Sequence, residues 1–201
     1  AGPGHRIDHI FYHGNAMKAV DWKRLESPDP ESALSDHYPV LTTFELNTYP
    51  LNVQPAEHKT VTDPQTRAKL LFLTTNPAED TNLYYEQRSW LADSSLILFN
   101  SSRENGGLMG YLTATGELVN LNTPAGGLGG PTAARDRNSV FAVRGSDVLE
   151  LSLDIHPSST PLTKPSQVIA TERIICTLDP NYLPTNTSLS ESSDGRYISV
   201  G

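Results

Sequence analysis

Apolar positions along the chain fall in short runs rich in β-branched and aromatic residues, broken by Gly, Pro, Asn and Asp, and the spacing of an amphipathic helix is hard to find. Such runs predict strands, because alternate side chains of a strand share a face and turn residues punctuate the pattern. Arg6-Ile7-Asp8-His9-Ile10-Phe11-Tyr12 reads as one strand and Tyr38-Pro39-Val40-Leu41-Thr42-Thr43-Phe44-Glu45-Leu46 as another, with a polar loop carrying Pro28 and Pro30 between them. From about Asn47 to Arg67, Pro, Thr, Asn, Gln and His displace most apolar residues, the composition of a linker.

Beyond the linker the pattern repeats. Asp93-Ser94-Ser95 leads into Leu96-Ile97-Leu98-Phe99, Asp136-Arg137-Asn138 into Ser139-Val140-Phe141-Ala142-Val143, and Asp194-Gly195-Arg196 into Tyr197-Ile198-Ser199-Val200. The turn Asp recurs after 43 and then 58 residues. A polar turn feeding an apolar strand at this period is the signature of propeller blades, and the Pro- and Ser-rich stretch from Pro157 to Pro165 absorbs the longer interval. Within the first repeat, Met109-Gly110-Tyr111-Leu112, a turn at Thr115-Gly116-Glu117 and Leu118-Val119-Asn120-Leu121 continue the meander. Gly201 falls inside the strand after the third turn, so a truncation there is expected.

Composition narrows the function classes. With 201 residues and 37% hydrophobic content the chain can form a globular core. The net charge of −8, without a run of Lys or Arg, gives no broad nucleic-acid footprint. No apolar run is long enough to span a bilayer as a helix, and no charged-then-apolar leader opens the sequence. The compartment is not readable, and a secreted or periplasmic location stays open. Cys176 has no partner for a disulfide and is expected as buried structural sulfur. His5, His9 and His13 recur every four residues, but in a stretch that reads as strand their spacing is too wide for one metal ion. His58 and His156 lack neighbours at ligand spacing and are expected to be solvent-exposed.

Arg6-Ile7-Asp8-His9-Ile10-Phe11 followed by Leu34-Ser35-Asp36-His37-Tyr38-Pro39-Val40 resembles the C-terminal end of the endonuclease/exonuclease/phosphatase family. Hydrolysis of a phosphodiester needs a base that titrates near neutrality, and His37 has that chemistry. The resemblance implies Asp8 as the carboxylate that orients the His37 ring, and Asp36 as the residue that helps hold a divalent cation, Mg in this part, or the attacking water. The family's other metal ligands and most of its two-sheet sandwich would precede Ala1, so residues 1–46 carry an incomplete site.

From about Ala68 onward the chain resembles the start of the oligogalacturonate lyases, seven-bladed propellers that cleave pectin fragments by β-elimination. The residues that carry this are Tyr84-Tyr85-Glu86-Gln87-Arg88-Ser89-Trp90-Leu91-Ala92-Asp93, Gly110-Tyr111-Leu112 and Thr115-Gly116-Glu117-Leu118-Val119. A uronate carries a carboxylate on each sugar, and Gln87 and Arg88, at the start of an inner strand, are the candidate contacts, Arg88 as the cation. The resemblance implies Mn as the lyase metal, with the base and metal ligands on later blades, so the complete site is absent from this chain.

The expected fold is mainly β: the last strands of an α/β sandwich hydrolase over 1–46, a linker over 47–67, and about two to three opening blades of a propeller over 68–201. The leading functional expectation is a fragment of a parent enzyme, an oligogalacturonate lyase-like propeller preceded by a metal-dependent phosphoesterase tail and inactive by itself. Its partner would be an anionic oligosaccharide or phosphoester. The alternative is a noncatalytic sugar- or protein-binding propeller attached to a phosphodiesterase- or endonuclease-like hydrolase. A third reading is an accidental join of two unrelated neighbours.

Overall fold

The computed structural model describes residues 17–25, 40–103, 106–179, 181 and 188–201. The chain is mainly β and divides into two units after Asn47. In the first unit β1 (Met17–Arg24) pairs antiparallel with β2 (Val40–Leu46), with a bulge between Ala19 and Asp21. Strand β1 lies in the stretch expected to be a polar loop: its Lys, Asp and Trp content hides a strand exposed on much of its surface, as Trp22 and Val20 show. The proposed partner strand at 6–12 lies outside the described residues.

The second unit is built of antiparallel meanders. In the first, β7 (Asp80–Asn82), β8 (Leu96–Ser101), β9 (Gly107–Leu112) and β10 (Leu118–Asn120) pair in chain order. In the second, β11 (Gly129–Ala133), β12 (Ser139–Arg144), β13 (Asp147–His156) and β14 (Gln167–Thr177) do the same. A third opens with β15 (Leu189–Glu191) and β16 (Ile198–Val200). Four consecutive antiparallel strands per sheet is the plan of a propeller blade.

Local chemistry explains the strands. Six of the ten residues of β13 are Val, Leu, Ile or Ser, and buried and exposed positions alternate over its second half. Gly145, with φ of +61°, and Ser146 join β12 to β13 in the two-residue turn such a hairpin prefers. Each Asp turn closes alike: Leu91 N–H donates to Leu96 O at 3.1 Å, Ala134 N–H to Ser139 O at 2.9 Å and Ser192 N–H to Tyr197 O at 2.9 Å. The loop between β13 and β14 spans the Pro- and Ser-rich stretch, as its composition suggests.

The sheets stack through apolar faces. Leu96, Leu98, Leu108, Leu112, Val119 and Leu121 of the first meet Val140, Ala142, Leu149, Leu151, Val168 and Ala170 of the second in one buried cluster. Phe141, Val143 and Val148, on the opposite face of the second sheet, pack against Leu189, Ile198 and Val200 of the third. The interface is also tied by a buried polar joint, in which Ser166 donates from its N–H (3.1 Å) and its hydroxyl to the carboxylate of Glu117.

Residues 48–54, expected as linker, instead complete both sheets. Strand β3 (Thr48–Pro50) pairs with β14 and β4 (Asn52–Gln54) pairs with β10, each at the sheet edge. Proline fits there because an edge strand leaves one side free of ladder bonds. Tyr49 Oη donates to Glu172 Oε2 at 3.1 Å, and Arg144 donates to the same carboxylate. A further hairpin, β5 (Lys59–Thr62) with β6 (Lys69–Phe72), exposes Val61, Leu70, Leu71 and Phe72. Cys176, expected to be buried, is exposed near the end of β14.

Candidate functional site

The inner strand of the first sheet is interrupted. After Asn82 it leaves the ladder, and it resumes where Ser89 O accepts from Leu98 N–H at 2.6 Å and Trp90 bridges Ile97. Buried Leu83 anchors the excursion. A tight turn over Tyr84–Gln87 is closed twice, by Gln87 N–H to Tyr84 O at 2.8 Å and by Tyr84 N–H to Gln87 Oε1 at 2.9 Å. The turn leaves Tyr84 59% and Tyr85 85% exposed, with ring centroids 4.5 Å apart and planes tilted by 47°. This aromatic pair lies outside the buried core, with its rings turned to solvent.

Beside the turn is a cleft of about 600 Å³ lined by Tyr84, Glu86, Gln87, Ser188, Ser190, Ser199 and Gly201. It lies between the excursion and the third sheet, where Ser188 Oγ donates to Glu86 Oε1 at 3.2 Å. Ser199 Oγ donates to Ser190 O at 3.3 Å. Its described lining is thus rich in hydroxyls, with one side-chain amide, one aromatic ring and one side-chain carboxylate.

Of the two contacts expected from sequence, Gln87 lines this cleft and Arg88 does not. Gln87 spends its Oε1 on the turn, so it offers the cleft its amide donors and also fixes the shape of the excursion. Arg88 N–H donates to Thr132 Oγ1 at 3.0 Å and its carbonyl accepts from Ala133 N–H at 2.9 Å, joining the inner edges of the first two sheets. Its buried Nε has no partner among the described residues. Asp8, Asp36 and His37 lie outside the described residues.

Ser188 and Ser190 escaped the sequence reading because a Ser-rich stretch reads as turn or loop, and Ser199 was read in a strand without a role. The usable signal was the alternation Ser188-Leu189-Ser190: Leu189 is fully buried, which turns both serines the other way. Tyr84 and Glu86 stood in the quoted motif without a role.

A second cleft, lined by Gln54, Pro55, Ala56, Glu57, Asn76, Ala78 and Arg103, is a structural joint. Arg103 donates to Asp80 and, at 2.9 Å, to Glu57, which also accepts from Thr75 and Asn76 N–H at 2.9 and 2.8 Å. Burial pushes the Glu57 carboxyl up, but the two backbone donors and Arg103 outweigh it and hold it below the ordinary range.

For a metal, the described residues offer no fit: among them no three His, Cys, Asp or Glu side chains converge. His58 stands edge-on to the Tyr111 ring at 6.1 Å, and His156 Nε2 sits 2.9 Å from Asp154.

No protein-family profile matches the chain. No curated protein matches it either. Among solved structures it is similar to an oligogalacturonate lyase from Vibrio parahaemolyticus, with a TM-score of 0.56 and 18% identity over 74% of this chain and 36% of that one. It is also similar to an oligogalacturonate lyase in complex with manganese, with a TM-score of 0.51 and 16% identity over 72% of this chain and 35% of the other. The chain therefore spans about a third of the length of these structures and shares with them the fold of a propeller arc.

Proposed function

We propose that residues 48–201 form the opening arc of an oligogalacturonate lyase-like propeller and supply part of the wall against which a uronate oligosaccharide lies. The observation that carries this reading is the Tyr84–Gln87 excursion, which presents two exposed rings and a hydroxyl-lined cleft in a fold shared with oligogalacturonate lyases. A sugar ring has an apolar C–H face that an aromatic ring can cover, and hydroxyls that Ser and Gln side chains can meet. Manganese, named with one of those lyases, belongs to the parent reaction in this reading. Arg88 remains the proposed cation for a substrate carboxylate.

Residues 1–46 are proposed as the end of a metal-dependent phosphohydrolase, with His37 as general base, Asp8 orienting it and Asp36 toward a cation such as Mg. The support is the pair of motifs in the sequence.

The test is a titration of the purified chain with trigalacturonate, followed by saturation-transfer NMR and tyrosine fluorescence, alongside absorbance for unsaturated uronate. The expected result is weak binding without turnover, because the groups that would remove a proton and stabilise the resulting charge act far below their joint effect when separated. Absence of binding by both signals would sink the saccharide reading. Metal-dependent appearance of unsaturated uronate would show that the arc already holds a working site.

A further inference from the structure

We infer that the cleft beside the Tyr84–Gln87 turn takes a sugar unit through its hydroxyl groups and selects one whose carboxyl is neutral, an esterified uronate or an uncharged hexose. This deepens the saccharide reading above and rests on it. The side chains of the described lining hold one carboxylate, Glu86, and no cation, and in the 201-residue chain Gly201 adds its terminal carboxylate. Glu86 is exposed and engaged at Oε1 by the Ser188 hydroxyl, and its other oxygen, without a partner among the described residues, can accept from a ligand hydroxyl. Ser188, Ser190 and Ser199 add hydroxyls, and the Gln87 amide adds donors. Tyr84 supplies the ring against which a sugar face would lie. Arg88, the natural partner of a uronate carboxylate, is not among the lining residues. A free carboxylate placed here would meet Glu86 without a compensating charge, and like charges brought together disfavour binding even in water. An uncharged unit meets the same hydrogen bonds without that repulsion.

The experiment titrates the 201-residue chain with three probes, trigalacturonate, its fully methyl-esterified form and a neutral galactose trisaccharide, by saturation-transfer NMR at low ionic strength. The esterified and neutral probes should bind about fivefold more tightly than the free acid, the factor expected for two like unit charges about 4 Å apart in water. In Glu86→Gln, which keeps an acceptor for Ser188, the free acid should gain most of that factor and the difference should narrow, the terminal carboxylate of Gly201 remaining. Tyr84→Ala should weaken all three probes alike. If the free acid binds as tightly as its ester and Glu86→Gln changes neither, the inference is overturned while the saccharide reading stands. If no probe binds, both fall together.

Discussion

The side-chain amide of Asn138 donates to Asp93 Oδ2 at 2.6 Å, so the turn that opens the second blade is clasped to the turn that opens the first. Asp93 N–H returns a longer contact to Asn138 Oδ1 at 3.4 Å. Asn138→Ala should cost about 1 kcal/mol, since the clasp is exposed and a hydrogen bond contributes about that much net. A double-mutant cycle with Asp93→Ala in urea should return most of this as coupling energy. Additive costs would mean that the two turns are stabilised independently.

Tyr49 should resist ionisation in alkaline titration. Burial and the neighbouring Glu172 charge, with the hydrogen bond between them, raise its pKa well above the usual phenol value of 10.0. Burial also raises the Tyr111 phenol, so absorbance near 295 nm should show Tyr49 and Tyr111 still protonated after the exposed tyrosines have titrated. Tyr49→Phe should reduce that late phase, leaving Tyr111, and lower stability by about 1.5–3 kcal/mol, the range for a hydrogen bond to a charged group.

Acid should loosen the second and third sheets. Burial pushes the Glu150 carboxyl up, yet Arg137 at 2.8 Å and Arg173 outweigh it and hold it below its ordinary 4.5. A carboxylate whose folded pKa is depressed gives stability that is fully present above the unfolded value and is lost as pH falls through the folded one. Urea midpoints should thus be flat above the ordinary carboxylate range and decline below it. Glu150→Gln should flatten that decline, and an unchanged slope would remove Glu150 from its cause.

Gly110 should not accept a larger residue. A Cβ there would stand 2.7 Å from both methyl carbons of Leu96, which is fully buried. Gly110→Val should destabilise by about 1–3 kcal/mol through overpacking, read as a lower thermal midpoint.

The legible part of the fold was the part written in neighbouring residues. Asp93, Asp136 and Asp194 announce their turns because a short acceptor next to an apolar run is a local signal, and Asp93 and Asp194 accept from the N–H two residues on. Strands β3 and β4 carry no such signal. Thr48–Pro50 and Asn52–Gln54 are short and polar, and they are strands only because β14 and β10 offer unpaired edges far along the chain. The site divides in the same way. Gln87 was picked from an expected inner strand but lies in the turn that interrupts it, whereas the serines that face it belong to another sheet, and nothing next to them in sequence indicates which element they meet. Arg88 was chosen for its charge, but its backbone role as a link to Thr132 and Ala133 depends on tertiary pairing alone.

The seven residues from Thr48 to Gln54 impose an order on folding. They leave a ribosome before any of the strands they join, and Tyr49 finds Glu172 only after 123 further positions have followed. Closing so long a loop costs entropy before any contact repays it, which slows folding and leaves the early strands with open edges meanwhile. A meander that closes locally could form by itself. Here the outer edge of each is held by the same short ribbon, so the two blades should reach their final state together, and a chain cut between them would leave both frayed.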